Sequence, residues 1–385
     1  MKITRYSILM GLTLLACIPA AQAQLTLGIV QSGSQLMLAW PAAGTNFFLQ
    51  STTNLAMPNW LAVSNASRVI VGTNITVPVV NSGKGQFFRL CNTNVQLMPA
   101  GMVLISAGSF TMGNSTDPDE GYVYEVPTHT VSVSAFSMDS NLVSYSQWKQ
   151  VYTWAITHGY AFDNAGSGKT NNHPVQTIDW YDTVKWCNAR SEMESRTPAY
   201  YTSDAQTTVY RSGQLALDSS SVNWNAGYRL PTEAEWKYAA RGGLTGQRFP
   251  WGNTISWSQA NYYAEPLALT NDGSAYDLAS AIGYDLAFND TIEPYTSPVS
   301  YFGANGYGLY DMAGNVFEWC WDLFGSYTSA SQTDPRGPTT GTFRIARGGF
   351  WQGFALFCRV SYRGYGDPTG SANAGGFRCA LPQSQ

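Results

Sequence analysis

The sequence predicts an α+β protein rich in coil, preceded by a small all-β sandwich. Seven short strand-like runs recur about every ten residues over 24–93, three capped helical patterns follow, and turn clusters rich in Gly and Asn separate them. The 385 residues, 44% hydrophobic and 14% aromatic, exceed one average domain and can supply two cores. Only 12% are charged, about half the usual share. That profile suits a loop-rich extracellular chain.

Lys2 and Arg5 precede an apolar run that ends at Pro19, and Ala21-Gln22-Ala23 then form a small-residue cleavage site. This reads as a secretory signal over 1–23, placing the mature protein outside the cell or in a periplasm. Leu14-Leu15-Ala16-Cys17 also fits a lipoprotein box, with anchoring through Cys17. Plain secretion is favoured, because cleavage after Ala23 starts the mature chain at the first strand, whereas a lipoprotein usually keeps a polar tether. No later segment approaches the roughly 18 unbroken apolar residues of a membrane span. Removing 1–23 takes away two basic residues and leaves 19 against 25 acidic ones, a formal charge of −6. A nucleic-acid or anionic-membrane partner is thereby disfavoured.

The strand-like runs fall at 25–30, 35–40, 47–52, 60–64, 68–71, 73–80 and 86–91, divided by clusters such as Gly44-Thr45-Asn46 and Asn81-Ser82-Gly83. No carboxylate occurs between 24 and 92, so acid–base and metal chemistry are not expected there. The segment resembles fibronectin-type accessory modules and predicts a spacing or attachment role, with 94–101 as linker. In the second domain, 102–382, Ser144 and Gln147 can open a helix with Trp148, Val151, Tyr152 and Ala155 on one face and Gly159 beyond its end. A second helix is expected over 180–193. In the third, Thr232 and Glu235 form a capping box and Gly242 stops it.

That third pattern lies in Arg229-Leu230-Pro231-Thr232-Glu233-Ala234-Glu235-Trp236, and further motifs follow a consistent order. They include Phe110-Thr111-Met112-Gly113, His173-Pro174-Val175, Pro250-Trp251-Gly252, Gly308 to Trp319 (GLYDMAGNVFEW), Arg347-Gly348-Gly349 and Gly376-Phe377-Arg378-Cys379. Together these residues resemble the formylglycine-generating (sulfatase-modifying-factor) domain family. The resemblance implies a compact fold related to C-type lectins. It also implies, for the oxidase members, conversion of a client sulfatase's cysteine to formylglycine with oxygen and copper held by two thiolates. Soft Cu(I) favours such a pair.

Carried onto this chain, the two copper ligands fall on Gly353 and Cys358, the family's serine on Phe350 and its active-site tryptophan on Phe317. Glycine offers no side-chain ligand, so the copper site is expected to be lost and family oxidase activity is in doubt. Cys320 is the obvious substitute sulfur. Cys358 acting alone is a further redox possibility, with Arg359 either depressing its pKa or decorating a strand. The cysteines outside the leader are five, Cys91, Cys187, Cys320, Cys358 and Cys379, so one stays unpaired within the chain. The resemblance implies a Cys187–Cys379 bridge, while the partners of the family's second bridge fall on Ala240 and Arg363.

The resemblance also implies calcium at Asp311, Gly314, Val316 and Glu318, where carboxylates and carbonyls suit a hard cation. A second calcium position maps to Asn261, Tyr262, Asp290 and Ile292, across an insertion near 266–288. His129, His158 and His173 show no paired metal spacing and read as structural. The absence of His-x-x-x-His-x-Glu excludes the family's iron-dependent sulfoxide synthases, and no phosphate loop or dinucleotide fingerprint occurs. Abundant Trp and Tyr could line a sugar- or peptide-binding groove. The expectation is a secreted, calcium-stabilised binding protein with a protein or carbohydrate ligand. The alternative is a divergent oxidase that acts on an exported sulfatase through Cys358.

Overall fold

A computed structural model describes residues 27–32, 35–41, 47–52, 61–63, 69–71, 73–78, 87–92, 99–116, 120–270 and 273–383. The expected leader, both of its candidate processing points and the side chain of Cys91 lie outside the described residues. The chain divides into two compact units, Met1–Leu97 and Met98–Gln383.

In the first unit, strands Gly28–Ser32, Gln35–Pro41, Asn74–Pro78 and Val69–Val71 make one antiparallel sheet in that spatial order. Leu61–Ala62, Phe47–Thr52 and Phe87–Asn92 make another. Alternating side chains meet in one apolar cluster of Leu38, Trp40, Leu49, Ile75 and Val77, drawn from both sheets.

The second unit is mixed α/β and coil-rich. Its helices are α1, Tyr145–Ile156, α2, Trp180–Met193, and α3, Glu233–Ala240. The Ser144 hydroxyl accepts from the Gln147 amide at the start of α1, and Asp179 with Asp182 forms a reciprocal box on α2. Thr232 and Glu235 do the same on α3. Trp148 on α1 and Trp186 on α2 stack at 5.9 Å, and Phe377 meets both edge-on.

Three sheets frame these helices. Met102–Ile105, Phe136–Asp139 and Ala380–Pro382 form one, in which the first and last strands of the domain flank Phe136–Asp139 on either side. Gly108–Met112, His129–Val133 and Gln332–Thr333 form the second. Phe317–Leu323 and Arg344–Arg347 lie at the centre of the third, flanked by Gly364–Gly366 and Gly375–Gly376.

Buried arginine–carboxylate pairs lock the coil between these elements. Arg229 grips Glu235 within its own motif at 2.7 and 2.6 Å, and Glu233 takes Arg363 at 2.7 and 2.9 Å. Arg378 holds both oxygens of Glu318, with both side chains fully buried. Such two-pronged pairs fix geometry in the interior, and loss of either partner strands the other charge. The Arg229 to Trp236 motif therefore acts here as framework. Arg363 stands where the family's second bridge would have a sulfur, and its ion pair with Glu233 makes an alternative tie there. Ala240 packs in the core.

Candidate functional site

The two positions to which the resemblance maps a copper pair, Gly353 and Cys358, lie in the segment after strand Arg344–Arg347. Cys358 ends the short 3-10 turn Ala355–Cys358 and is fully buried. It sits in an apolar cluster with Phe249, Ile255, Tyr262 and Ala313. Burial drives its pKa well up, against smaller opposing effects from the amides of Gly314 and Phe350, so the thiol is neutral and a poor nucleophile. Arg359 does not activate it, because its guanidinium is committed to Glu125 at 3.0 and 2.8 Å. Gly349 has φ +76°, and a Cβ there would come 2.7 Å from the Cys358 sulfur. Backbone conformation and the packed sulfur both require glycine at that point.

Gly353 is buried beneath aromatic rings. A Cβ on it would meet Phe350 at 2.6 and 2.8 Å and Phe357 at 3.0 Å. Phe350 in turn packs on Phe317 with centroids 4.6 Å apart. Phe350 and Phe317 are therefore in contact, and the Phe350 ring fills the space that a side chain at Gly353 would need. Cys320 is no substitute in this arrangement. It is buried in a different apolar cluster, with Trp236 and Ile345, and burial raises its pKa far above the ordinary thiol value.

The rings continue outward. Phe357 packs on Tyr362 at 4.9 Å, Tyr362 on Tyr122 at 5.8 Å, and Tyr122 stacks on Tyr124 at 5.0 Å. On the other side Phe357, Phe354 and Tyr263 follow in sequence. Tyr122 and Phe354 are each about two-fifths exposed, at 39% and 41%. The result is a partly exposed aromatic band over Gly353.

Asp311 and Glu318, expected to share a cation, have different surroundings. Asp311 has φ +57° and is 6% exposed. Its Oδ2 accepts from the Ser300 amide at 2.8 Å while Oδ1 is buried with no hydrogen-bond partner. Burial raises its pKa to about 6. An orphaned carboxylate oxygen fits a cation. Glu318 does not fit, since Arg378 already occupies both of its oxygens. A calcium ion here would use Asp311 Oδ1 with the backbone of Gly314 and Val316 and leave the Glu318 carboxylate aside.

The second expected calcium position holds a cation of the protein's own. The Lys169 ammonium donates to Asp290 Oδ1 at 2.6 Å, to the Ile292 carbonyl at 3.1 Å and to the Phe288 carbonyl at 3.4 Å. It also lies 5.6 Å from the Tyr295 ring centroid. Asn261 turns its amide to the Tyr295 carbonyl, and the Tyr262 carbonyl accepts from Trp257. The residues present therefore do not fit a second calcium ion, because a tethered ammonium takes the oxygens that would bind it. No motif around Lys169 announces this in the sequence; the contact spans 121 residues.

Cys187 and Cys379 face each other with sulfurs 3.6 Å apart and no covalent bond between them. The histidines are structural. His129 packs edge-on against Tyr327, His158 stacks on Trp154, and His173 bonds the Thr296 hydroxyl at 2.9 Å. Sequence reasoning missed one acidic group, Asp163, Asp179 and Asp182, whose oxygens converge within metal-ligand range. Fully buried Lys185 already lies 2.8 Å from Asp163 and 3.3 Å from Asp182, so a tethered ammonium takes two of the three carboxylates at the cap of α2. The Asp179/Asp182 spacing on either side of Trp180 is its sequence signal.

Comparison with known proteins gives a consistent result. The sulfatase-modifying factor enzyme 1-like domain matches residues 87–382. The chain is 32% identical over 305 residues to the formylglycine-generating enzyme of Mus musculus, covering 72% of this chain and 74% of that protein. It is 30% identical over 289 residues to chaperone protein LppX of Paenibacillus barcinonensis, covering 72% and 88%. Among solved structures, Treponema denticola variable protein 1 superimposes with TM-score 0.55 at 27% identity, over 78% of this chain and 96% of that one.

Proposed function

Because the chain belongs to the sulfatase-modifying-factor (formylglycine-generating) family, we propose that it is an exported, calcium-stabilised binding protein of that family, without the copper chemistry. One observation carries this reading: Gly353, where the resemblance maps a metal ligand, offers no side chain, and Phe350 and Phe357 fill the space that one there would need. A single buried, neutral thiol at Cys358 makes a poor copper site. The ligand is a protein segment or carbohydrate that stacks on the aromatic band, since flat rings bind flat or apolar faces without needing charge. A relative named as a chaperone protein is consistent with binding in place of catalysis. Calcium at Asp311 would neutralise a buried carboxylate and stiffen the turn beneath that band.

The similarity to the mouse formylglycine-generating enzyme favours the alternative, a divergent oxidase acting on an exported sulfatase with Cys358 as its remaining thiolate. The two are separated by incubating copper-loaded mature protein with oxygen and a cysteine-containing sulfatase peptide, and searching by mass spectrometry for the aldehyde. The binding reading expects no product and no stoichiometric Cu(I). Turnover that disappears in Cys358→Ala would establish the oxidase instead.

A further inference from the structure

A shallow cavity of about 390 Å³ lies at the C-terminal end of α3 and shares no lining residue with the aromatic band. Ser109, Thr111, Thr130, Tyr238, Tyr307 and Arg241 are among the residues that line it, and among the described residues no aspartate or glutamate does. Arg241 is only 7% exposed. Its Nη2 donates to the Thr111 carbonyl at 3.2 Å and to Ser115 Oγ at 3.4 Å. Its Nε is buried without a partner, and Nη1 makes no hydrogen bond and is not enclosed.

This is unusual within the molecule. Arg190, Arg229, Arg359, Arg363 and Arg378 each hold a carboxylate. Arg344, which does not, gives both Nη atoms to carbonyls and lies 3.8 Å over Trp180. Arg241 has no carboxylate partner among the described residues. Burial and the nearby Arg347 charge push its pKa down to about 10, so it remains a cation at neutral pH. The α3 C-terminus supplies only a partial negative charge, and Asn305 already caps two of its carbonyls. A buried guanidinium left in this state calls for an external anion.

The rest of the cavity specifies what carries that anion. Phe110, Tyr238 and Tyr307 form a run of rings with centroids 5.4 and 6.0 Å apart, and Ser109, Thr111 and Thr130 present exposed positions on the paired strands. An aromatic wall with several hydroxyls around one cation matches a ring that bears both hydroxyls and an oxyanion. We propose that this cavity binds an anionic sugar, a pyranose carrying a carboxylate or sulfate. The oxyanion sits on Arg241 Nη1 and the sugar ring lies against Tyr238 and Tyr307. A bare inorganic anion would use only the guanidinium.

The test is calorimetric titration of the full mature chain at low salt with glucuronate, glucose 6-sulfate, glucose and inorganic sulfate. Binding of one or both anionic sugars is expected, at least about tenfold tighter than glucose or sulfate alone, and the better of the two identifies the oxyanion. Arg241→Gln should weaken it about tenfold or more. Thr130→Trp, at an exposed strand position away from the core, should block the cavity without touching Arg241, so the site remains testable if Arg241→Gln fails to fold. The proposal is overturned if glucose binds as well as glucuronate, if sulfate alone binds as tightly, or if Thr130→Trp leaves binding unchanged. Absence of binding of either anionic sugar up to about 10 mM also overturns it.

Discussion

Asp311 is the residue whose behaviour most directly tests the calcium reading. Burial raises its pKa from 3.8 to about 6, more than the Ser300 amide and the Arg378 charge lower it, with Glu318 adding a smaller upward push. The folded protein thus binds this proton more tightly than the unfolded chain. Its stabilising effect is complete below about pH 4 and is lost as pH rises through about 6. A shift of about two units corresponds to roughly 3 kcal/mol of stability missing at neutral pH. A cation on the orphaned Oδ1 would favour the carboxylate and remove that loss. Urea unfolding followed by tryptophan fluorescence, from about pH 4 to about pH 7, should show the decline in EDTA and its reversal in saturating calcium. Asp179 and Asp322, raised by burial to about 7 and about 8, decline with the same sign. The wild-type curve minus that of Asp311→Asn isolates the residue. If that difference is flat in EDTA, or identical with and without calcium, the reasoning fails.

Three other outcomes are expected. Gly353→Cys alone should gain no stoichiometric Cu(I), because Phe350 occupies the space, whereas Gly353→Cys with Phe350→Ser should gain it; competition against a Cu(I) chelator reads both, and binding by the single variant contradicts the packing account. Equilibrium dialysis should find one calcium per wild-type chain and a second in Lys169→Ala, once the ammonium leaves Asp290 and the two carbonyls; two sites in the wild type would refute the tethered cation. Thiol titration of protein purified without reductant should show Cys187 and Cys379 oxidised, and Cys187→Ser should lower stability by about 5 kcal/mol on the chain-entropy view; a free-thiol count that falls by one in that variant, where the bridge requires it to rise by one, argues against the bridge.

Much of the scaffold was legible in the sequence because its signals are local. Ser144, Asp179 and Thr232 sit at N-caps, where a side-chain oxygen satisfies a free amide within three residues. Gly349 is fixed by backbone conformation. The strand-like runs at 35–40 and 47–52 correspond closely to Gln35–Pro41 and Phe47–Thr52. What escaped were long-range substitutions of one chemistry for another. Lys169 fills an expected calcium position across more than a hundred residues, and Arg378 takes Glu318 from 60 residues away. The rings of Phe350 and Phe317 were visible as replaced positions, but their mutual contact over Gly353 is a matter of packing. No motif marks Arg241, whose lack of a carboxylate partner among the described residues is a matter of packing.

The pairing of Ala380–Pro382 with Phe136–Asp139 bears on how the protein is made. Arg378 lies just before that strand and anchors Glu318, and Arg359 anchors Glu125 from 234 residues away. The principal domain therefore cannot complete its interior until the chain through Pro382 is available, and its folding is dominated by distant contacts. Truncation before Ala380 would therefore take away the strand on which closure depends.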